Sequence, residues 1–461
     1  MSQYTLLIDG RDGAGHRPAP TIGRPLACGT STTRGAIVQR MQAGGLLIVG
    51  PGHRPAPSLR KQIRRTGFWW GLIGVLVLSV ATSRAHAQQL LNFQGLDSLS
   101  QTLAAQYRWA ELDSVGRVAL RLGTDYPALR CRLGQAALAL DQPAIALRHY
   151  GHALRDNPLD SAARYGLAVA YLTLNQPAPA ALLARGLPDA QRRPLHLNGF
   201  QAVTRVEVET GGQHPGTVHR GNAGFLRLGL SSRLSPRFNL TQNVSYFGQN
   251  IELPDPRRAH TSLPYTVRQN QYQALLAAQL APRWQVLAGY HFLNNNFGKR
   301  EAAPNQLGYV ALAYARPYWT AQVGVFAGSL TDTTRVQTDL RLTVYPLGNL
   351  RLYGFGRASV VRSGSRSYPN GVLGAGGRLS PSLWLEAYGG LGQVPVLAEL
   401  DGTYVYNLLD PLRQRAGTSL LILLNRPLTL RLSYAAEQRR DAVDGTTYTL
   451  YSLSTALAWT W

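Results

Sequence analysis

The feature of this sequence that most constrains its fold is a change of hydrophobic period near residue 200. From there to the carboxyl terminus, apolar residues recur at every second position in successive segments, which is the period of β-strands. In residues 348–360, for example, Leu350 and Leu352 alternate with Arg351 and Tyr353. Before residue 200 the apolar residues follow the helical period instead. The sequence therefore predicts an α-helical part followed by an antiparallel β part.

The connections between these segments alternate between two kinds without exception. Six are short and carry proline, and seven are longer and polar, so they separate fourteen strands. The range allowed is 12–16 strands, because Thr403–Leu409 reads either as a strand or as part of a loop. The short connections are 234–237, 280–283, 315–317, 345–349, 379–382 and 424–427. The long connections are 211–222, 249–268, 294–306, 329–334, 363–370, 393–412 and 439–445.

The last segment, Thr446–Trp461, indicates what surrounds the strands. Tyr451, Leu453 and Leu457 fall on one face together with both terminal tryptophans, and small residues fall on the other. A strand of this kind exposed to water at a sheet edge would aggregate, whereas a closed barrel in lipid has no edge and solvates the apolar face. Charged residues are 15% of the chain, below the roughly 25% of soluble domains. We therefore predict a transmembrane β-barrel over 199–461; a secreted β-sandwich is the soluble alternative.

The amino-terminal region predicts export. Arg60, Lys61, Arg64 and Arg65 precede an apolar run over 67–80, and Ala85-His86-Ala87 has the spacing of a cleavage site. We expect residues 67–87 to form a signal peptide and the mature chain to begin at Gln88. Residues 1–66 are then either a disordered extension or the product of a start codon assigned too far upstream, and we favour the second.

Residues 88–192 carry a repeat. The segments "LDQPAIA" at Leu140 and "LNQPAPA" at Leu174 are 34 residues apart. This region resembles the tetratricopeptide (TPR) repeat, which implies a short α-helical solenoid. The resemblance also implies that a periplasmic protein partner docks on its concave face, with a bare spacer as the alternative. The residues at signature positions are Leu133, Gly134, Ala146, Tyr150, Ala153, Pro158, Leu167, Ala168, Tyr171 and Ala180.

The whole chain resembles bacterial outer-membrane barrels that carry TPR repeats, of the YaiO-like type, and exopolysaccharide secretins that fuse such repeats to a barrel. In these proteins a terminal aromatic signal is recognised by the barrel-assembly machinery, and Trp459 and Trp461 match it. The resemblance implies that the barrel contacts outer-membrane lipid in a Gram-negative bacterium and that the repeats lie in the periplasm. It is a likeness of architecture, without a long diagnostic motif.

The presumed inner face of the strands is rich in arginine. A net positive lumen would favour anions, and an anionic glycan is one candidate solute. The alternative is that the arginines pair with acidic groups across a plugged interior. The candidate lumen residues are Arg227, Arg341, Arg351, Arg357, Arg378, Arg431, Asp339 and Glu386.

The sequence contains no recognisable catalytic, phosphate-binding or paired-cysteine metal motif. We therefore expect no catalytic residue, cofactor or metal, and the spread of basic residues argues against nucleic acid. The expected role is a pore or a structural and assembly platform. One alternative is a component that exports or modifies exopolysaccharide. Another is a rim-active barrel enzyme that uses His260 or His291.

Overall fold

A computed structural model describes residues 93–461 apart from 198, 255–261, 298–299, 302–304, 331–332, 395–396, 407–409 and 426. The predicted signal peptide, its cleavage site and the preceding segment lie outside these residues. The described chain forms two compact units, 93–125 and 126–461. Among the described residues, no helix is both long and apolar enough to cross a membrane.

The first unit is a helical hairpin of α1 (Phe93–Ala105) and α2 (Trp109–Arg121). Leu96, Leu103 and Leu112 are buried in it, at the spacing of amphipathic helices.

The second unit begins with five successive α-helices, the last of them one turn long, and a 3₁₀ turn. Pro127, Pro143 and Pro177 each occupy the first helical position, where the missing N–H of proline costs no hydrogen bond. Asp160 caps the third of these helices through its carboxylate, which accepts hydrogen bonds from the backbone of Ala162 and Ala163. The elements are α3 (Pro127–Ala139), α4 (Pro143–Asp156), α5 (Ser161–Thr173), α6 (Pro177–Ala184), α7 (Asp189–Arg192) and the 3₁₀ turn Arg193–Leu195.

The residues at repeat-signature positions mostly lie where these helices pack. Tyr150 of α4 is wedged between two glycines: an added Cβ would lie 2.7 Å from its ring at Gly134 and 2.2 Å from it at Gly166. The close crossing of α3, α4 and α5 therefore depends on small residues. Leu133, Ala146, Ala153, Ala168 and Ala180 are buried, Leu167 and Tyr171 are half-buried, and Pro158 is exposed after α4.

We expect Gly166→Ala to destabilise the helical part and Gly151→Ala to stabilise it. A methyl group at Gly166 would overpack the trapped Tyr150 ring, at a cost of about 1–3 kcal/mol. At Gly151, also inside a helix, an added Cβ would meet nothing within 4 Å, so the helix propensity of alanine should contribute roughly 0.5–1 kcal/mol. Urea unfolding of the full chain in detergent, followed by far-ultraviolet circular dichroism, measures both; equal midpoints would contradict the packing described.

The rest of the chain forms a closed antiparallel barrel of fourteen long strands. The first and last strands pair, with Val208 opposite Leu457, so the ring has no free edge. Three further short strands, β6, β13 and β14, do not belong to the ring of fourteen. The strands are β1 (Gln201–Pro215), β2 (Arg220–Arg233), β3 (Phe238–Pro254), β4 (Ser262–Ala281), β5 (Trp284–Phe297), β6 (Arg300–Glu301), β7 (Asn305–Arg316), β8 (Trp319–Leu330), β9 (Thr333–Val344), β10 (Leu352–Ser363), β11 (Arg366–Ser380), β12 (Leu383–Val394), β13 (Leu397–Glu399), β14 (Tyr404–Tyr406), β15 (Leu412–Leu423), β16 (Leu428–Arg440) and β17 (Thr447–Thr460).

The predicted strand number and the alternation of connections are confirmed, but the long connections differ from the prediction in length. The strands continue into most of them, so that residues 364–365 alone join β10 to β11. The exception is the connection between β12 and β15. It contains β13 and β14, which pair with each other, and most of its described residues are buried.

The outer face of the barrel is apolar and bordered by aromatic side chains. On β17, Tyr451, Leu453, Leu457 and Trp459 are exposed and the alternate small residues are mostly buried, as predicted. Near the short-turn rim, Trp284 packs on Tyr314 with ring centroids 4.5 Å apart. An apolar band flanked by aromatic side chains is the surface that transmembrane barrels present to lipid.

The helices of the second unit contact the short-turn rim. The connection between β9 and β10 reaches the start of α4, where the backbone N–H of Ala144 donates to the carbonyl of Gly348 over 3.2 Å. Asn349 donates to the carbonyl of Asp141 over 3.0 Å, and Arg351 pairs with the Asp141 carboxylate at 2.5 Å. The helices of the second unit therefore lie at the rim where the chain enters and leaves the barrel.

Candidate functional site in the barrel lumen

The lumen is occupied by a hairpin of the chain itself. Residues 397–406, here called the plug hairpin, comprise β13, β14 and the turn between them. Leu400, Asp401 and Gly402 all have positive φ in this turn, and the Gly402 N–H donates to the Glu399 carbonyl over 3.0 Å. The predicted long connection 393–412 therefore turns into the lumen in this segment, where its acidic groups pair with arginines of the wall.

Glu399 is the most heavily paired acidic group of the plug hairpin. Its side chain is 3% exposed, and its carboxylate accepts hydrogen bonds from Arg357 of β10 and Arg415 of β15, each at 2.8 Å. Burial alone would raise the pKa of Glu399, but the two guanidinium groups outweigh burial and hold the pKa well below its usual range. Glu399 is therefore charged while the hairpin is seated.

Asp401, at the tip of the hairpin, contacts the wall on another side. Its carboxylate accepts hydrogen bonds from Tyr309 of β7 and Gln322 of β8, both at 2.7 Å, and lies 3.5 Å from Arg341 of β9. Burial alone would raise the pKa of Asp401; Arg341 and the two hydrogen bonds outweigh it and lower the pKa. This carboxylate is also ionised in the seated hairpin.

Side chains of the wall satisfy the backbone of the hairpin. Gln337 donates to the Ala398 carbonyl over 2.7 Å and accepts from the Ala398 N–H over 3.0 Å. Gln273 donates to the Asp401 carbonyl over 2.9 Å, and a ring nitrogen of His291 lies 2.7 Å from the Gly402 carbonyl. Buried backbone groups need such partners.

Tyr404 joins the hairpin to the opposite part of the ring. Its hydroxyl donates to Glu209 of β1, and its ring lies under the Arg227 guanidinium of β2, 5.2 Å from the ring centroid. Arg227 in turn pairs with Glu207 and Glu209, and Arg431 lies 3.2 Å from Glu207. These charges form one neutralised cluster on the wall.

Apolar contacts join the plug hairpin to the wall at two places. Ala398 and Val405 pack with Leu293, Leu307 and Phe326 of β5, β7 and β8. Leu397, which is 2% exposed, packs with Val361 of β10 and Val394 of β12. The other described contacts of the seat are polar or charged.

Beyond the hairpin, Asp410 anchors the chain as it returns to the wall. Its carboxylate pairs with Arg220 at 2.7 Å and 2.9 Å and accepts a hydrogen bond from the Tyr448 hydroxyl at 2.7 Å. This anchor fixes where β15 begins.

The structure brings most of the predicted lumen residues to the inner face. Arg357 and Asp339 lie 3.4 Å apart, and Tyr353 donates to Glu386 over 2.9 Å. Arg351 is the exception: it lies in the connection before β10, is largely exposed and pairs with Asp141 of the helical part. The predicted residues placed on the inner face are Arg227, Arg341, Arg357, Arg378, Arg431, Asp339 and Glu386. Paired acids offset these arginines, as in the plugged alternative.

One trio of side chains has the geometry of a candidate cation site. His219 Nδ1 lies 2.9 Å from Asp441 and 3.8 Å from Asp444, between the β1–β2 and β16–β17 connections. Asp441 already accepts hydrogen bonds from Thr217 and from the Val443 N–H. Burial alone would raise the pKa of Asp441, and these hydrogen bonds with the one from His219 outweigh it and lower the pKa. The three side chains therefore form a hydrogen-bond cluster that connects two loops.

Of the two histidines considered for rim chemistry, His260 lies outside the described residues. His291 lies inside the lumen on β5, and one ring nitrogen contacts the plug backbone while the other lies 3.0 Å from Gln271. Its described contacts are those of a residue that positions the plug hairpin.

The residues that sequence reasoning missed are Arg415 and the three polar plug residues Glu399, Asp401 and Tyr404. A signal was present: Asp401-Gly402 between two short apolar segments is a strong local indication of a two-strand turn. This dipeptide predicts the hairpin but does not indicate that the hairpin turns into the lumen.

No protein-family model matches the sequence, and no curated protein matches it. Solved barrel structures are similar at low identity. The Pseudomonas putida toluene transporter TodX is 6% identical, covers 56% of this chain and 89% of its own, and has a TM-score of 0.39. A Pseudomonas aeruginosa FadL homologue is 9% identical, with 56% and 90% covered and a TM-score of 0.40. The translocator domain of the autotransporter NalP from Neisseria meningitidis is 11% identical, with 63% and 100% covered and a TM-score of 0.28.

Proposed function

We propose that the protein is an outer-membrane pore that the plug hairpin holds closed. The observation that carries this proposal is that the hairpin is bonded to both sides of the ring. Tyr404 contacts β1 and β2, whereas Asp401 contacts β7, β8 and β9, which lie about half-way round the fourteen strands. A segment held in this way obstructs the lumen.

The contacts between the plug hairpin and the wall support a plug that can be released, in preference to one that fills the lumen permanently. Charged and hydrogen-bonded groups gain little net free energy on burial, because water solvates them almost as well once they separate. Release of the hairpin would expose few apolar side chains, since its contacts with the apolar wall come from Leu397, Ala398 and Val405. The seated and released states can therefore lie close in free energy.

The proposed orientation places the short-turn rim and the repeats in the periplasm. Bacterial barrels have short periplasmic turns and longer exterior loops. The proposed task of the repeats is to dock a periplasmic protein; Leu159, 86% exposed between α4 and α5, is an apolar contact point. A photocrosslinker at Leu159 should capture one defined partner in cells, and crosslinks to this chain alone would leave the repeats as a spacer.

The role proposed is passage of a solute, without a chemical step. His291 contacts the plug backbone, whereas a hydrolase would need its imidazole free to move a proton.

Acid should open the pore, and planar-bilayer conductance tests this. Glu399 and Asp401 have lowered pKa values in the seated hairpin and regain ordinary values, about 4, once released into water. Their ionisation therefore favours the seat above the ordinary pKa, and this stabilisation is lost as pH falls through the lowered values. We expect the closed level to persist from neutral pH to about pH 5 and the conductance to rise below about pH 4. Conductance that is high at neutral pH and unchanged by acid would contradict a charge-held plug.

A further inference from the structure

A cavity remains between the plug hairpin and one side of the wall. Its volume is about 130 Å³, and it is bounded by strands β1 to β4, β12, β16 and β17 together with Thr403, Tyr404 and Val405 of the plug. A cavity of roughly 150 Å³ accommodates one six-membered aromatic ring. The space beside the plug is partly open, so it can hold one ring whose substituents extend beyond it.

One polar atom that lines the cavity, Gln213 Oε1, is buried and has no hydrogen-bond partner among the described residues. The side chain of Gln269, a residue 5% exposed, and the half-buried Ser245 and Ser452 line the same space. Buried polar atoms in native proteins are almost always paired. The unpaired amide oxygen, with a second amide and two hydroxyls beside it, therefore favours a ligand rich in donors and acceptors.

The charges beside the cavity are already neutralised. Arg227 pairs with Glu207 and Glu209, and Glu437 accepts two hydrogen bonds from Arg439, at 2.6 Å and 2.9 Å. A charged ligand would have to break one of these buried pairs, which is costly. The cavity thus favours a neutral ligand, in contrast to the anionic glycan expected from the arginine content.

Aromatic rings supply the remaining surface. Tyr388 and Tyr404 line the cavity with Phe225 and Phe247. A site with aromatic walls and a few placed polar groups binds molecules that have both an apolar face and hydrogen-bonding edges. A pyranose ring has C–H faces and hydroxyl edges.

We propose that this cavity binds one neutral sugar ring, free or as a unit of a neutral glycan. The proposal rests on the proposed pore, because the sugar reaches the cavity through the lumen. The bound ring would touch Thr403 and Tyr404, so its occupancy would bear directly on the plug hairpin.

Calorimetric titration of the full chain in lauryldimethylamine oxide tests this, since that detergent carries no sugar headgroup. Glucose, galactose and N-acetylglucosamine are the neutral probes, glucuronate is the anionic probe and toluene the apolar one. We expect at least one neutral sugar to bind and glucuronate and toluene not to bind. Replacing Gln213 and Gln269 by leucine should weaken sugar binding about tenfold or more. Gln306→Leu, on the exposed face of β7, should leave it unchanged.

The comparison of probes needs only the unsubstituted protein, so a variant that fails to fold does not remove the test. Preference for glucuronate or toluene, or no binding of any neutral sugar, would overturn the proposal. Absence of sugar binding in a protein that conducts once the plug hairpin is removed would reject the ligand and keep the pore. Sugar binding in a protein that never conducts would reject the pore and keep the site.

Discussion

A variant in which residues 397–406 are replaced by a short glycine-serine linker is expected to conduct ions at neutral pH, at least about tenfold above the unsubstituted protein. The hairpin crosses the lumen and contributes the acids that Arg357, Arg415 and Arg341 now contact. Barrels larger than about eight strands have room for a channel unless a segment fills it. Removal should also take away two carboxylates that these arginines contact, which makes the lumen more positive, so the open pore should select anions.

The control for this deletion is insertion of the same linker at Ser365, in the exposed turn between β10 and β11. That insertion perturbs a loop without touching the plug hairpin and should keep the closed level. Planar-bilayer recordings of both variants make the comparison. A deletion variant that folds, shown by heat-modifiable gel mobility, and yet remains closed would place the obstruction elsewhere in the lumen.

Glu399→Gln is expected to have the largest effect of a single substitution. The amide keeps the shape of the side chain but removes the charge that Arg357 and Arg415 share. Removal of one partner from a buried ion pair costs about 3–5 kcal/mol, because the other charge is left without compensation. The ratio of open to closed protein should therefore rise by about two to four orders of magnitude.

Glu386→Gln is the matched control, since Glu386 is also a buried lumen carboxylate but accepts its described hydrogen bond from Tyr353 of the wall. Open probability at neutral pH measures both variants. Equal open probabilities for the two would mean that Glu399 does not hold the plug.

The barrel could be predicted because its information is local and repeated. Each strand shows the two-residue period of a sheet, and the short turns contain proline. The apolar face formed by Tyr451, Leu453 and Trp459 is the one expected of a closed barrel in lipid. The close crossing of helices at Gly134 and Tyr150 could likewise be predicted, because small and large residues occur there at a fixed spacing.

The lumen could not be predicted in the same way, because its pairs join residues far apart in the chain. Tyr404 and Glu209 are 195 positions apart, and nothing local to either indicates the other. Whether 393–412 extends into water or folds inward depends on charge pairs formed only after closure. For Arg351 the local pattern was misleading. The alternation of residues predicts that it faces the lumen, but β10 begins one residue later and Arg351 pairs with Asp141 at the rim.

The most direct test of a seated plug is the reactivity of Ala398→Cys in intact cells towards a bulky, membrane-impermeant maleimide. The substitution is made in a chain that lacks Cys28 and Cys131, and Ser365→Cys serves as the exposed reference. Ala398 is 2% exposed inside the lumen. We therefore expect the cysteine at position 398 to be protected from the maleimide under conditions in which the cysteine at position 365 is labelled. Labelling of Ala398 as fast as that of Ser365 would show that the segment is an exterior loop and that the lumen is not closed by it.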